Sequence, residues 1–310
     1  MRIVSPIVAL ATLFLSLMSA SAQTNVTCHI KPFNTVSGPT LPHEGTANSI
    51  NRYGNLVGLD AQGRPYIRFS NGHIQLFKIP VPLTHPAVDI ITMGKRSLNG
   101  VTVGSVQFVD PTTNVIAVKG WVNQNGITTL NNTSLAGINK FGTMVASIEE
   151  ENPRTDQRSI KLLRPTGTQF IPFPLGFATD SFVSVAPTAI SDTGVVIGTY
   201  TPPGPAGVVH SFVEAHGQFQ DFTFPGDQFT QTLARDINAE GMIVGEVVNS
   251  PLGRSFIFKD GTMFRPIFVF PNGFTSTNVI INGVNGFGTI VGTFFIGNNK
   301  SGPFIGSCDF

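Results

Sequence analysis

The densest ionisable stretch of the 310-residue chain is Glu149-Glu150-Glu151-Asn152-Pro153-Arg154-Thr155-Asp156-Gln157-Arg158. Arg235-Asp236 and Glu246 follow downstream, and Tyr200 sits in the turn-rich segment Thr199-Tyr200-Thr201-Pro202-Pro203-Gly204-Pro205. Two carboxylates roughly 5–10 Å apart can serve as acid and base, or acid and nucleophile, on a glycosidic bond. Glu149, Glu150, Glu151, Asp156, Asp236 and Glu246 are candidates for such a pair, but no spacing singles out two of them. Arg154, Arg158 and Arg235 could meet anionic groups, and Tyr200 could stack on a ligand. The plainer readings are a solvated loop for the charge run and packing between sheets for Tyr200.

Other chemistries leave no signature. There is no Gly-x-Ser-x-Gly elbow and no phosphate-binding glycine loop. Gly283-Val284-Asn285-Gly286-Phe287-Gly288 is glycine-rich but reads as a turn. The six histidines, at 29, 43, 73, 85, 210 and 216, show no metal-ligand spacing, and no acidic calcium loop is found. No catalytic set, cofactor or metal is expected, and an enzyme is the less favoured reading.

Composition narrows the class. Residues 1–22 begin with Arg2, run apolar from Ile3 to Met18 and end in Ala20-Ser21-Ala22, the pattern of a secretory signal cleaved before Gln23. Without Arg2 the 19 Lys and Arg fall to 18 and balance the 18 Asp and Glu. Charged residues are 12% of the chain, against about 25% in ordinary soluble proteins. Nothing here suits nucleic acid, and no later stretch suits a membrane span. With 33 Gly, 22 Pro and 26 Phe, the chain reads as all-β.

The elements that must position any site come as repeats. Ile237-Asn238-Ala239-Glu240-Gly241-Met242-Ile243-Val244-Gly245 recurs about every 47 residues, beginning at Ile50, Leu98, Ile138, Ile190 and Val284. Asn or Ser opens the turn with a side-chain acceptor, and Gly closes it at positive φ. The copy at Leu98-Asn99-Gly100 reads as degraded, with two turn residues missing. A second hairpin follows most copies, turning at Asn71-Gly72, Asn125-Gly126, Thr166-Gly167, His216-Gly217 and Asp260-Gly261. Four strands a to d per unit predict a six-bladed β-propeller of four-stranded antiparallel blades, one domain over residues 23–310. A sandwich or solenoid of the same hairpins is the alternative.

The sixth copy lacks strand d. The segment Val26 to Val36 has no strands before it, and its Cys28-His29-Ile30-Lys31-Pro32-Phe33 matches Thr262 to Ile267. It is expected to complete the last blade, with Cys28 and Cys308 flanking the missing turn and forming a disulfide. The a–b and c–d turns then lie on one face. The longer b–c and d–a loops lie on the other, where a partner would be met, with Glu149, Glu150, Arg154, Asp156, Arg158, Tyr200, Arg235, Asp236 and Glu246 as the candidate binding residues.

The motif Ile-Asn-x-x-Gly-x-Ile-Val-Gly, followed by His210-Ser211-Phe212 or Arg254-Ser255-Phe256 and a glycine turn, resembles the extracellular HAF-repeat proteins of bacteria. The resemblance spans nearly all of the chain after the leader and implies a secreted, propeller-like repeat protein with no catalytic residues to carry over. The expected function is a secreted (extracellular or periplasmic) monomeric module binding a glycan or protein partner. The alternative is a secreted polysaccharide hydrolase or lyase with carboxylates at the channel mouth.

Overall fold

The computed structural model describes residues 24–35, 45–81, 89–147, 159–173, 185–201, 208–223, 231–248, 250, 253–296 and 300–310. The proposed leader and the charge run at 148–158 lie outside them. All regular elements described are β-strands. Strand β1 is Thr24–Pro32. The first unit holds β2 (Gly45–Ile50), β3 (Leu56–Asp60), β4 (Pro65–Arg68) and β5 (Ile74–Leu76). The second holds β6 (Ile90–Arg96), β7 (Thr102–Val109), β8 (Ile116–Gln124) and β9 (Ile127–Asn131), and the third β10 (Leu135–Ile138), β11 (Met144–Ser147), β12 (Ser159–Arg164) and β13 (Gly167–Pro172). The fourth holds β14 (Val185–Ile190), β15 (Val196–Tyr200), β16 (His210–Ala215) and β17 (Gln218–Phe222). The fifth holds β18 (Gln231–Ile237), β19 (Ile243–Val248), β20 (Ser255–Lys259) and β21 (Thr262–Val269), followed by the short β22 (Thr275–Ser276). The sixth holds β23 (Val279–Val284), β24 (Ile290–Ile296) and β25 (Lys300–Asp309).

Units one to four are separate four-stranded antiparallel sheets in a β-propeller arrangement. The expectation of six separate sheets is corrected at the fifth and sixth units. There the hydrogen bonding runs through one nine-stranded sheet, in the order β18-β19-β20-β21-β1-β25-β24-β23 with β22 on β21. The cause is β1, both of whose edges are paired. It lies antiparallel to β25, Cys28 opposite Cys308 and Ile30 opposite Gly306. It also lies parallel to β21, Thr24 opposite Phe264 and His29 opposite Val269. The strand expected at Val26 to Val36 therefore starts and ends earlier. The Cys28–Cys308 disulfide is formed, with Cα atoms 4.0 Å apart.

The first strands of the units touch in sequence, β2 to β6, β10, β14, β18 and β23, and β23 returns to β2. An apolar core fills each junction. Val57, Ile67, Met93 and Trp121 join the first two units. Val103, Leu135, Ile138 and Ala146 join the second to the third. Tyr200 packs with Val145, Phe173 and Phe212 between the third and fourth. Ile197, Phe222, Ile243 and Phe256 lie between the fourth and fifth. Val26, Cys28, Ile30, Phe268 and Phe294 share the core of the merged sheet. Ala47, Ile50, Tyr66 and Val291 bring the sixth unit back onto the first.

The recurring turn is more regular than its sequence. Gly54, Gly100, Gly142, Gly194, Gly241 and Gly288 all hold φ between 76° and 88°. Gly100 shows that the second turn is intact. It opens at Ser97, whose Oγ accepts from Val101 N and whose carbonyl accepts from Gly100 N. Leu98-Asn99 therefore occupies the middle of that turn, and Arg96 stands where the other copies have Ile or Val. Where the first residue is Asn it also stitches units together. Asn51 Oδ1 accepts from Tyr53 N and Asn55 N, while its Nδ2 donates to Ser97 O. Asn139 donates to Ser191 O, Asn238 to Asn285 O and Asn285 to Asn51 O. The c–d turns at Asn125-Gly126, His216-Gly217 and Asp260-Gly261 have positive φ at both residues, the hairpin geometry that matches strand twist.

The glycine that ends each motif answers to an aromatic of strand c. Gly58 faces Tyr66, Gly104 Trp121, Gly198 Phe212, Gly245 Phe256 and Gly292 Phe304. A Cβ on Gly245 would stand 2.2 Å from Leu233 O and 2.7 Å from the Phe256 ring. The third unit has Ala146 at this place, and there the facing residue is Lys161 rather than an aromatic. We predict that Gly245→Ala destabilises the protein by about 1–3 kcal/mol or more, read from denaturant unfolding. Wild-type stability in that variant would show that the glycine is not required by the ring above it.

Candidate functional site

Each first strand carries a β-bulge, and the bulges converge on the axis. Register breaks between Ala47 and Ser49, Met93 and Arg96, Leu135 and Gly137, Pro187 and Ala189, Ala234 and Asp236, and Ile281 and Gly283. A bulge leaves its extra residue outside the ladder and re-aims it. The residues so released are Asn48, Gly94 and Lys95, Ala136, Thr188, Arg235 and Asn282. All of them line one central cavity of about 200 Å³. That is smaller than the several hundred Å³ of pockets for drug-sized ligands. Its wall mixes polar side chains with Met93, Ala136, Pro187 and Ala189, and part of the polar share is committed to holding the ring. Thr188 Oγ1 donates to Ala234 O at 2.8 Å, and Asn282 Nδ2 donates to Ala47 O at 3.0 Å.

Across this cavity runs an ion pair. Lys95 Nζ from the second unit donates to Asp236 Oδ1 at 2.9 Å and to Ile237 O at 2.7 Å in the fifth. The two units stand three places apart in the cycle of six first strands, so the lysine ties opposite walls. Asp236 is fully committed. Oδ1 also accepts from Ile237 N, and Oδ2 accepts from Val284 N of the sixth unit. Burial pushes the Asp236 carboxyl above the usual aspartate range, opposed by the Lys95 ammonium and by these N–H donors.

The second expected carboxylate is similarly occupied. Glu246 lies in β19, with a side chain only 5% exposed, and it is clasped by two arginines. Arg235 Nη2 donates to Oε2 at 2.5 Å and Arg254 Nη2 to Oε1 at 2.6 Å. The Arg254 guanidinium also rests 4.8 Å from the centre of the Phe295 ring. Paired and desolvated in this way, Asp236 and Glu246 act as anchors for cations. Proton exchange with a substrate would first require breaking those pairs.

Of the residues singled out in the sequence, the structure brings Arg235 and Asp236 to the central cavity, and Glu246 joins them through its pair with Arg235. Tyr200 belongs elsewhere. It ends β15, buried, and its hydroxyl donates to Asp221 Oδ1 at 2.7 Å. His210 Nδ1 lies 3.2 Å from the same oxygen. Burial, and then the Asp221 carboxylate, push the Tyr200 hydroxyl well above its usual range. It is thus a satisfied core tyrosine. Glu149, Glu150, Arg154, Asp156 and Arg158 lie outside the described residues. Sequence reasoning missed Lys95, Arg254 and Asp221. For Lys95 the signal was present: read with Ser97 as the turn opener, Lys95-Arg96-Ser97 aligns with Asp236-Ile237-Asn238 and places Lys95 on the axis. Among the described residues no group of three or more His, Cys, Asp or Glu could hold a metal ion, and no helix is long and apolar enough to cross a membrane.

No known family model matches the chain, and no curated protein matches it. Solved structures that are similar include an unknown-function protein from Dyadobacter fermentans. It is 9% identical at a TM-score of 0.48, covering 91% of this chain and 98% of that one. Virginiamycin B lyase from Staphylococcus aureus is 9% identical at 0.45, covering 91% and 99%. AofleA from Arthrobotrys oligospora is 12% identical at 0.44, covering 94% and 95%. At these scores the three bear on neither activity nor ligand.

Replacing Lys95 by Met should strand a buried carboxylate, at a cost of about 3–5 kcal/mol. The pH dependence follows from the raised Asp236. An acid raised on folding stabilises fully below its unfolded pKa, about 4, and that stability is lost as pH rises through the folded value. The penalty of Lys95→Met should therefore be small in acid, where Asp236 is protonated in both proteins, and open as pH rises through the raised folded value of the wild type. Adding Asp236→Asn should remove most of it. Unfolding titrations across pH check this, and a penalty independent of pH would contradict it.

Proposed function

We propose that this chain is a secreted binding or scaffold module that meets a glycan or protein partner, of the kind its HAF-like repeats imply. In this reading the nine-stranded sheet serves as two blades of a six-fold ring, fused where the N-terminal strand completes the sixth. The observation that carries the functional part is the state of two candidate carboxylates, Asp236 at the central cavity and Glu246 beside the cavity-lining Arg235. Asp236 is held by Lys95, and Glu246 by Arg235 and Arg254. A hydrolase acting through two carboxylates needs one of them free to take or give a proton. Lys95, Thr188 and Asn282 at the axis instead bind units to one another, which suits a rigid display scaffold. The Cys28–Cys308 bridge supports an oxidising compartment and with it an export leader at residues 1–22.

A glycan array and a capture experiment with the purified chain test this reading. Saturable binding to a glycan or protein class is expected, with no turnover on a polysaccharide panel. Turnover abolished by Asp236→Asn or Glu246→Gln would replace the binding module with an enzyme.

A further inference from the structure

Resting on the binding-module reading, we infer that the face formed by the recurring a–b turns is the docking surface for an acidic polysaccharide. It would be gripped by Tyr53, Phe141 and Phe287, with Arg52 and Lys140 beside them. These aromatics occupy one equivalent place, the third residue of the Asn-x-x-Gly turn. They are 63%, 65% and 70% exposed, among the most exposed large apolar side chains described.

The turn itself does not call for an aromatic. The second, fourth and fifth copies place Asn99, Thr193 and Glu240 there and hold the same glycine geometry. The geometry of the turn therefore does not account for three exposed rings at matched positions. Each ring is nonetheless set on a rigid base. Tyr53 N, Phe141 N and Phe287 N donate to the Oδ1 of Asn51, Asn139 and Asn285 at 2.9–3.0 Å. The turns of units six, one, two and three are bonded in series, through Asn285 to Asn51 O, Asn51 to Ser97 O and Asn99 to Lys140 O.

Charge divides the same face. On the aromatic arc, the Arg52 guanidinium lies 5.1 Å from the Phe287 ring centre and the Lys140 ammonium 4.9 Å from that of Phe141. The remaining two turns carry Asp192 and Glu240 and no aromatic at the tip. These acids abut the two ends of the arc, Asp192 Oδ1 accepting from Lys140 N at 2.8 Å and the Glu240 carboxylate lying beside Gly286. That leaves Arg52, in the middle of the arc, as the cation furthest from them. An anionic ligand would be drawn to the first arc and repelled from the second. The rings stand on separate turn tips rather than in one apolar patch of the kind that forms a protein interface core. Spaced ring faces with cations between them suit a polymer of flat-faced sugars. The weakly positive C–H faces of the sugars meet the negative π faces, and their carboxylates meet Arg52 and Lys140. The arc lies on the face opposite to the b–c and d–a loops.

Binding of the leaderless protein to immobilised polygalacturonate tests the inference, with a neutral β-glucan and anionic phosphatidylglycerol vesicles as comparison probes. The wild type should bind polygalacturonate in a salt-sensitive way and prefer it to both. Tyr53→Ala/Phe141→Ala/Phe287→Ala should lose at least about tenfold in affinity, and Arg52→Gln/Lys140→Gln should lose the salt sensitivity. Ile116→Ala, an exposed apolar residue at the opposite end of the strands, should bind as wild type, and thermal melts should show all variants folded. Wild-type affinity in the triple variant overturns the assigned surface while leaving the module reading standing. Equal binding to the neutral glucan overturns the assigned charge preference. Preference for the vesicles overturns the polysaccharide. If the wild type binds no probe and the glycan array and capture are also blank, the binding-module reading itself fails.

Discussion

A ring has no ends and a polypeptide has two, so a cyclic arrangement of sheets must join its last unit to its first by contacts that the chain's covalent order does not supply. Here one nine-residue strand begins the join by seating the N-terminal segment in the C-terminal unit. It completes the three strands of the C-terminal unit on one edge and zips onto the preceding unit on the other. Its inward face, Val26, Cys28 and Ile30, is buried in the core shared by those units. The disulfide then fixes the two ends of the chain to each other. Each of the other junctions is made between units that follow one another in sequence, except the return of the sixth to the first. That return rests on β23 and β24 packing against β2, with Asn282 and Asn285 donating across it.

Given closure, the interior obeys a simple rule of matched sizes. A wedge of sheet must narrow toward the axis, and the motif achieves this with small and β-branched residues on the first two strands. The large rings come from the third strand and lie across glycines that have no side chain to oppose them. At the axis the bulges turn polar groups inward, and Lys95, Thr188 and Asn282 spend theirs on other units of the ring. The Lys95–Asp236 pair is an extreme case: a buried ion pair that ties opposite walls, whose desolvation cost is offset only while both partners and their backbone donors stay in place.

Much of this was legible in the sequence because it depends on local chemistry. Asn and Gly at fixed offsets announce the turns, paired Asn-Gly and Asp-Gly steps announce the second hairpins, and an unpaired N-terminal strand beside a short final unit implies their union through Cys28 and Cys308. What was not legible depends on neighbours distant in sequence. The second turn was misread because Arg96 replaces an aliphatic residue and the motif was anchored two residues late. Nothing local signals the parallel pairing of β1 with β21, since a strand does not display which edges it will share. Glu246 and Asp236 read as available carboxylates until Arg254, Arg235 and Lys95 were seen to hold them. Tyr200 read as part of a loop because Pro202 and Pro203 follow it, yet it closes a strand and packs between units, as its plainer reading had it.

The claim that the N-terminal strand latches the ring is tested most directly by equilibrium denaturant unfolding of Cys28→Ser/Cys308→Ser beside the oxidised wild type. The bridge spans a sequence separation of 280 residues, and the chain-entropy model assigns about 5–6 kcal/mol to a loop of that size, with measured gains often smaller. A loss of several kcal/mol with β1 amides exchanging early is the predicted result. Unchanged stability, with β1 amides as protected as those of β2, would contradict the latch.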